Sequence, residues 1–198
     1  TLTELVEQAK RLTAAANIPL IVDADTGFGD VVNVERTVFE LESAGAAAIQ
    51  LEDQQLPKRC GHLSGKTLVE PQAMCAKIRA AVNARGDDDL VIIARTDARG
   101  VNGMDDALRR AASYVEAGAD WIFPEALRSE DEFAQFANQI EVPLLANMTE
   151  FGKSPLLDLQ VLQSMGYAAV LYPVTLLRVA MRAMEAALAM LSGDGHQR

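Results

Sequence analysis

Leu90-Val-Ile-Ile-Ala94-Arg-Thr-Asp97 is the stretch that decides the fold. Its uninterrupted apolar run, with no polar position alternating through it, describes a strand buried on both faces. The run then stops in a guanidinium and a carboxylate. The same pattern recurs on either side. Pro19-Leu-Ile-Val22 ends in Asp23-Ala-Asp25, and Ala47-Ala-Ile-Gln-Leu51 ends in Glu52-Asp53. Trp121-Ile-Phe123 ends in Pro124-Glu125, Pro143-Leu-Leu-Ala146 in Asn147-Met-Thr149-Glu150, and Ala168-Ala-Val-Leu171 in Tyr172-Pro173.

Between these runs the apolar residues take helical spacing: Leu5, Ala9, Leu12 and Ala16, then Val34, Val38, Leu41 and Ala44. Further helices are expected from Pro71 to Ala84, from Asp105 to Glu116, from Ser129 to Gln139 and from Ser154-Pro155 to Gly166. A last one runs through Leu177, Met181, Met184 and Leu188. Ser129 with Glu132 makes a capping-box pattern. Gly45, Gly118 and Gly166 each close a helix a few residues before an apolar strand begins, so the three junctions echo one another. Buried strands alternating with amphipathic helices give an α/β fold with a parallel sheet, either open and doubly wound or closed as a (β/α)8 barrel.

The strand ends carry the functional signal. Any one Asp, Asn or Thr there could simply cap the helix that follows. Five successive polar strand ends, with an arginine and two glutamates among them, are better explained by a shared catalytic rim. Asp23-x-Asp25 sets two carboxylates on one side of an extended segment. Hard oxygen ligands of that kind suit Mg²⁺ or Mn²⁺, with Glu52 and Glu125 as outer groups. Arg95 offers a planar fork for a carboxylate or phosphate, and Asn147 and Thr149 are neutral donors beside it.

Lys58-Arg-Cys-Gly-His62 follows the second strand. Its positive charge favours thiolate at Cys60, and His62 can exchange a proton with it. Gly61 allows close backbone approach to a ligand. A solvated basic turn holding an inert thiol would have the same local composition. Cys75 lies in a helical pattern with Met74, Ile78 and Val82 and reads as core.

Composition narrows the function classes. The 198 residues carry a formal charge of −10 without a basic stripe, which argues against nucleic acid as a partner. No stretch approaches a membrane span, and two cysteines make no disulfide framework, so a reducing, cytoplasmic setting fits best. Gly27-Phe-Gly29 lacks the third spaced glycine of a dinucleotide fingerprint.

Asp23-Ala-Asp25-Thr-Gly-Phe-Gly29, Leu51-Glu-Asp53-Gln54, Lys58-Arg-Cys-Gly-His62, Ala94-Arg-Thr-Asp-Ala98, Pro124-Glu125 and Asn147-x-Thr149-Glu150 occur in an order and spacing that resembles the isocitrate lyase and phosphoenolpyruvate mutase superfamily. The cysteine loop is most similar to the 2-methylisocitrate lyase branch. The resemblance implies a Mg²⁺-dependent (or Mn²⁺-dependent) lyase that splits a 2-hydroxy tricarboxylate, in propionate metabolism, to pyruvate and succinate. It implies metal anchors at Asp23, Asp25 and Glu52, and Cys60 as general acid tuned by Lys58 and His62. It further implies substrate contacts from Gly61, Arg95, a protonated Glu125, Asn147, Thr149 and Arg178. It also implies a single eight-stranded barrel domain, of which residues 1–198 would supply six strands, lacking the first two and a substrate loop with its base. A swapped C-terminal helix and a homotetramer belong to the same expectation. Branch members acting on 2,3-dimethylmalate or oxaloacetate, and a non-catalytic barrel binding an organic acid, remain alternatives.

Overall fold

A computed structural model describes residues 1–196. Helix α1 (Leu2–Ala15) precedes β1 (Ile21–Asp23), α2 (Val31–Ser43), β2 (Ala48–Glu52) and α3 (Pro71–Ala84). Then come β3 (Val91–Thr96), the one-turn α4 (Ala98–Val101), α5 (Met104–Glu116), β4 (Trp121–Pro124) and α6 (Glu130–Gln139). The chain ends through β5 (Leu145–Asn147), α7 (Leu159–Ser164), β6 (Ala169–Leu171) and α8 (Thr175–Asp194).

Every strand pairing is parallel. The order β1-β2-β3-β4 forms one ladder and β5-β6 a second, joined by a parallel bridge between Ile122 and Leu144. Among the described residues β1 and β6 do not pair with each other, so the sheet is an arc of six strands in chain order. That order, with a helix after each strand, is barrel winding rather than the reversed order of a doubly wound sheet.

Alternate residues of each strand face opposite layers. Ile49, Leu51, Ile92, Ala94, Ile122 and Ala146 join Leu41, Met74, Ile78, Tyr114 and Phe133 in the main core beneath the helices. Ala48, Ile93, Phe123 and Leu145 form a smaller cluster on the concave face. Burial on both faces explains why the strands read as continuous apolar runs.

The three junction glycines share one solution. Gly45, Gly118 and Gly166 all have positive φ. The residue after each donates back to the helix, Ala46 to Leu41 O, Ala119 to Tyr114 O and Tyr167 to Leu162 O, at 3.0–3.1 Å. Each is a Schellman closure that turns the chain directly into the next strand.

Two local expectations need correction. The helix expected from Ser154-Pro155 begins only at Leu159, because the preceding residues fold back and the Leu157 N–H donates to Met148 Sδ. The capping box at Ser129 is half formed: Ser129 accepts from the Glu132 N–H, but the Glu132 carboxylate goes to Arg99 and the Arg128 N–H. The last helix runs through Leu177, Met181, Met184 and Leu188 as expected, with all four exposed and no residue of α8 buried. No helix among the described residues is long and apolar enough to cross a membrane.

Candidate active site

The parallel ladder brings the strand ends to one rim. Register sets Glu52 beside Arg95, while the alternation along β4 brings Glu125 onto the same face just beyond Phe123. Arg95 is nearly buried. Its Nε donates to Asp97 Oδ2 at 3.0 Å, its Nη2 lies 3.2 Å from Glu125 Oε2, and its guanidinium sits 5.2 Å from the centre of the Phe123 ring. Burial works against its charge, and the carboxylates of Glu125, Asp97 and Glu52 more than offset it, so the guanidinium is pushed further up and stays cationic. Nη1 makes no hydrogen bond among the described residues, which leaves one donor edge for a ligand.

Glu125 departs from expectation. Burial pushes its carboxyl up, but the His62 ring, Arg95 and the Asn147 amide outweigh it and hold the group at about 2. The resemblance gave Glu125 a substrate contact if protonated; with these partners the group is held as a carboxylate. Asn147 Nδ2 spans both Glu125 oxygens at 3.2 and 3.3 Å, while its buried Oδ1 has no partner.

The first strand closes the rim on the other side. Asp25 is not extended: its φ of +51° puts it in a left-handed turn, where its N–H donates to Asp23 Oδ1 at 2.9 Å. The two carboxylates are therefore gathered by a turn rather than by strand alternation. Lys58 Nζ pairs with Asp25 Oδ1 at 2.5 Å, so this lysine serves the carboxylate pair and not the thiol. Glu52 is buried, and neither carboxylate oxygen accepts a hydrogen bond. Burial pushes its carboxyl up to about 7, against the pull of Arg95 3.5 Å away.

An orphaned buried carboxylate beside Asp23 and Asp25 fits a hard divalent cation. Among the described residues no three His, Cys, Asp or Glu side chains converge as a ready cage. That combination suits Mg²⁺, which keeps most of its waters and takes one or two carboxylates plus substrate oxygens.

Residues 55–67 form a loop closed at its neck. Gln54 bridges Leu68, the Gln55 N–H donates to Thr67 O, and the Val69 N–H donates to Asp53 O. Gln54, itself buried, clasps Arg59 by donating to its carbonyl and accepting from its N–H, at 2.8 and 2.9 Å. Cys60 is exposed on this loop. At Gly61 an added Cβ would lie 2.3 Å from Glu125 Cγ and 2.7 Å from Arg95 Nη2, so the loop can lie on the arginine–glutamate pair only with glycine there. His62 reaches down to the rim. Nδ1 accepts from the Lys153 N–H at 2.8 Å, which assigns the proton to Nε2, 3.1 Å from Glu125 Oε1. The imidazole thus faces Glu125 rather than Cys60.

Thr149 follows Asn147 on the β5 loop, half-buried, and packs its methyl near Gly152. Arg178 is tied to that loop by Glu150 at 2.6 Å and by the Phe151 ring, and is not in contact with Arg95 or Glu125. A cavity of about 250 Å³ lies on the same flank between Met148, Leu157, Tyr172 and Thr175. Neither Cys60 nor Arg95 lines it.

Several working residues escaped the sequence reading. Asp53 is a fully buried junction that accepts from Thr96 Oγ1, the Asp97 N–H and Tyr114 OH at 2.8–2.9 Å, with Arg110 Nη1 at 3.5 Å. Lys66, also buried, pairs with Asp97 Oδ1 at 2.7 Å and donates to the Gly61 carbonyl. Nothing in Ser64-Gly-Lys66 separates a buried lysine from a solvated one. The Asp53-Gln54 dipeptide was legible as a strand end but not as a hub.

Comparison with known proteins shows the family. The phosphoenolpyruvate phosphomutase family model matches residues 1–192. The chain is similar to the 2-methylisocitrate lyase of Aeropyrum pernix, at 54% identity over 198 residues, which is all of this chain and 64% of that protein. It thus spans just under two thirds of the length of that relative. The crystal structure of 2,3-dimethylmalate lyase, a PEP mutase/isocitrate lyase superfamily member, superposes with a TM-score of 0.94 at 37% identity, covering 100% of this chain and 67% of that one. A phosphonopyruvate hydrolase solved with oxalate and Mg²⁺ superposes with a TM-score of 0.86 at 34% identity, covering 100% and 69%. With its fold and nearly its whole length accounted for, the chain belongs to the phosphoenolpyruvate mutase/isocitrate lyase family.

Proposed function

We propose that this protein is a Mg²⁺-dependent carbon–carbon lyase whose substrate is 2-methylisocitrate or a close 2-hydroxy carboxylate. The observation that carries the reading is the opposition of two half-sites. A carboxylate group of Asp23, Asp25 and unpartnered Glu52 stands on one side, and Arg95, Glu125, Asn147 and the Cys60 loop stand on the other. One half suits a cation bound by the future keto acid, and the other suits the dicarboxylate fragment.

What a bound divalent cation would supply is stabilisation of charge on the keto-acid oxygens. The chain's own residues act on the leaving fragment. Loss of the substrate's hydroxyl proton to a base lets that oxygen's electron pair form the carbonyl of pyruvate as the adjacent C–C bond breaks. The pair from that bond moves onto the neighbouring carboxylate of the leaving fragment, which Arg95 Nη1 would stabilise, with Thr149 as a neutral donor and Asn147 joining only by releasing Glu125. The Cys60 thiol delivers a proton to the fragment's carbon and gives succinate. His62 and Lys58, each committed to a rim carboxylate, hold the loop over the site rather than titrate the thiol. Arg178 would reach a substrate carboxylate only by leaving Glu150. Mn²⁺ as substitute metal, a homotetrameric state and a cytoplasmic location accompany this proposal.

The test is a substrate panel with the protein expressed from its complete reading frame. With Mg²⁺ present, pyruvate from 2-methylisocitrate and no product from 2,3-dimethylmalate or oxaloacetate supports the assignment. Turnover of either of those instead would move the protein to a sister activity, and ligand binding without turnover would make it a binding barrel.

A further inference from the structure

We infer that Lys66 is a positioning residue that pins the cysteine loop onto the rim. Three observations meet in it. Its side chain is 1% exposed although it belongs to a surface loop, and its ion-pair partner Asp97 is fully buried. A lysine that far from water is costly unless its charge is paired, and this one gives its ammonium to the Asp97 carboxylate and the Gly61 carbonyl. The Gly61 carbonyl belongs to the residue directly after the reactive thiol.

The contacts also close a circuit. Lys66 holds Asp97, Asp97 holds Arg95 Nε, Arg95 Nη2 meets Glu125, and Glu125 meets His62, the residue after Gly61. The loop is therefore attached twice to one strand-end network, once through a backbone carbonyl and once through an imidazole. Gln54 clasps the loop's other arm at Arg59. Lys66 ties the centre of the loop by hydrogen bonds to Asp97, the residue directly after β3, the strand that carries Arg95. With it removed, the Gly61 carbonyl loses its partner and the Cys60 backbone gains freedom, while β2 and β3 keep their ladder.

The catalytic consequence rests on the lyase reading, but the positioning itself does not, so the test uses two readouts. In Lys66→Met, amide hydrogen exchange of segment 58–64 and of Lys153, whose N–H goes to His62, should quicken roughly tenfold while β2 and β3 keep wild-type protection. Lys66→Arg, which retains a cationic donor, should fall between the two. Turnover of 2-methylisocitrate should drop in kcat by roughly tenfold or more with KM within about threefold, since a displaced proton donor slows a step without removing substrate contacts. Unchanged exchange in 58–64 in a Lys66→Met protein with intact β3 overturns the proposal. So does loss of β3 protection in step with the loop in both variants, which would make Lys66 an ordinary core residue. If the wild-type protein turns over no substrate but its loop exchange responds as stated, the lyase reading fails and the positioning role stands.

Discussion

Glu125 carries the clearest pH signature at the scale of single residues. Its carboxyl is held at about 2 against an ordinary 4.5 because His62, Arg95 and Asn147 outweigh its burial. A folded value below the unfolded one means stability that is fully present above about pH 4.5 and lost as pH falls toward about 2. Wild type should therefore exceed Glu125→Gln by roughly 2–3 kcal/mol near neutrality, and the gap should shrink on acidification. Urea unfolding of both proteins between about pH 7 and about pH 3 checks this, and a gap that does not vary with pH would contradict the assignment of an ionised Glu125. Gly61 gives a second, steric prediction. A Cβ there would meet Glu125 Cγ and Arg95 Nη2 inside contact distance, so Gly61→Ala should lift the loop and lower kcat/KM by about a hundredfold or more. Because the loop is peripheral to the core, its melting temperature should stay within a few degrees of wild type in a thermal scan.

Among the elements, α5 does more than cover the sheet. Tyr114 and Arg110 reach from it to Asp53 at the end of β2, and Asp53 in turn holds the Thr96 hydroxyl and the Asp97 N–H where β3 ends. Tyr114→Phe deletes one buried donor while keeping the ring, and should cost about 1–3 kcal/mol in denaturant unfolding. A cost near zero would mean that Asp53 does not depend on the helix. This junction also shows what a sequence can and cannot disclose. Strand runs such as Leu90–Ala94 were legible because burial on both faces leaves no polar alternation, and helix ends such as Gly45 were legible because a Schellman closure demands positive φ. The rim was legible as positions, since strand ends in a parallel fold must share a side. Partners were not. Lys58 beside Cys60 in sequence pairs with Asp25, and His62 turns to Glu125, because residues in the closed loop point wherever the neck and clasp aim them. The Asp23/Asp25 pair was found for the wrong geometric reason, a turn having replaced the extended segment.

For the whole molecule, the distribution of charge matters more than its sum. A chain with net charge −10 sets the buried Arg95 guanidinium where three carboxylates converge, and their charge keeps it cationic. The arc of parallel strands keeps the two half-sites at a fixed separation, with the Asp23 turn on β1 at one margin and Asn147 on β5 toward the other. In the proposed reaction Cys60, beside the glycine that seats the loop on Arg95 and Glu125, supplies the proton that completes cleavage. The most direct measurement is 2-methylisocitrate turnover in D₂O by the protein expressed from its complete reading frame, wild type against Cys60→Ser, with Mg²⁺ affinity measured alongside. Wild type should give singly deuterated succinate, and turnover should fall by about a hundredfold or more in the variant with Mg²⁺ affinity unchanged. Turnover in Cys60→Ser close to that of wild type would contradict this role for Cys60.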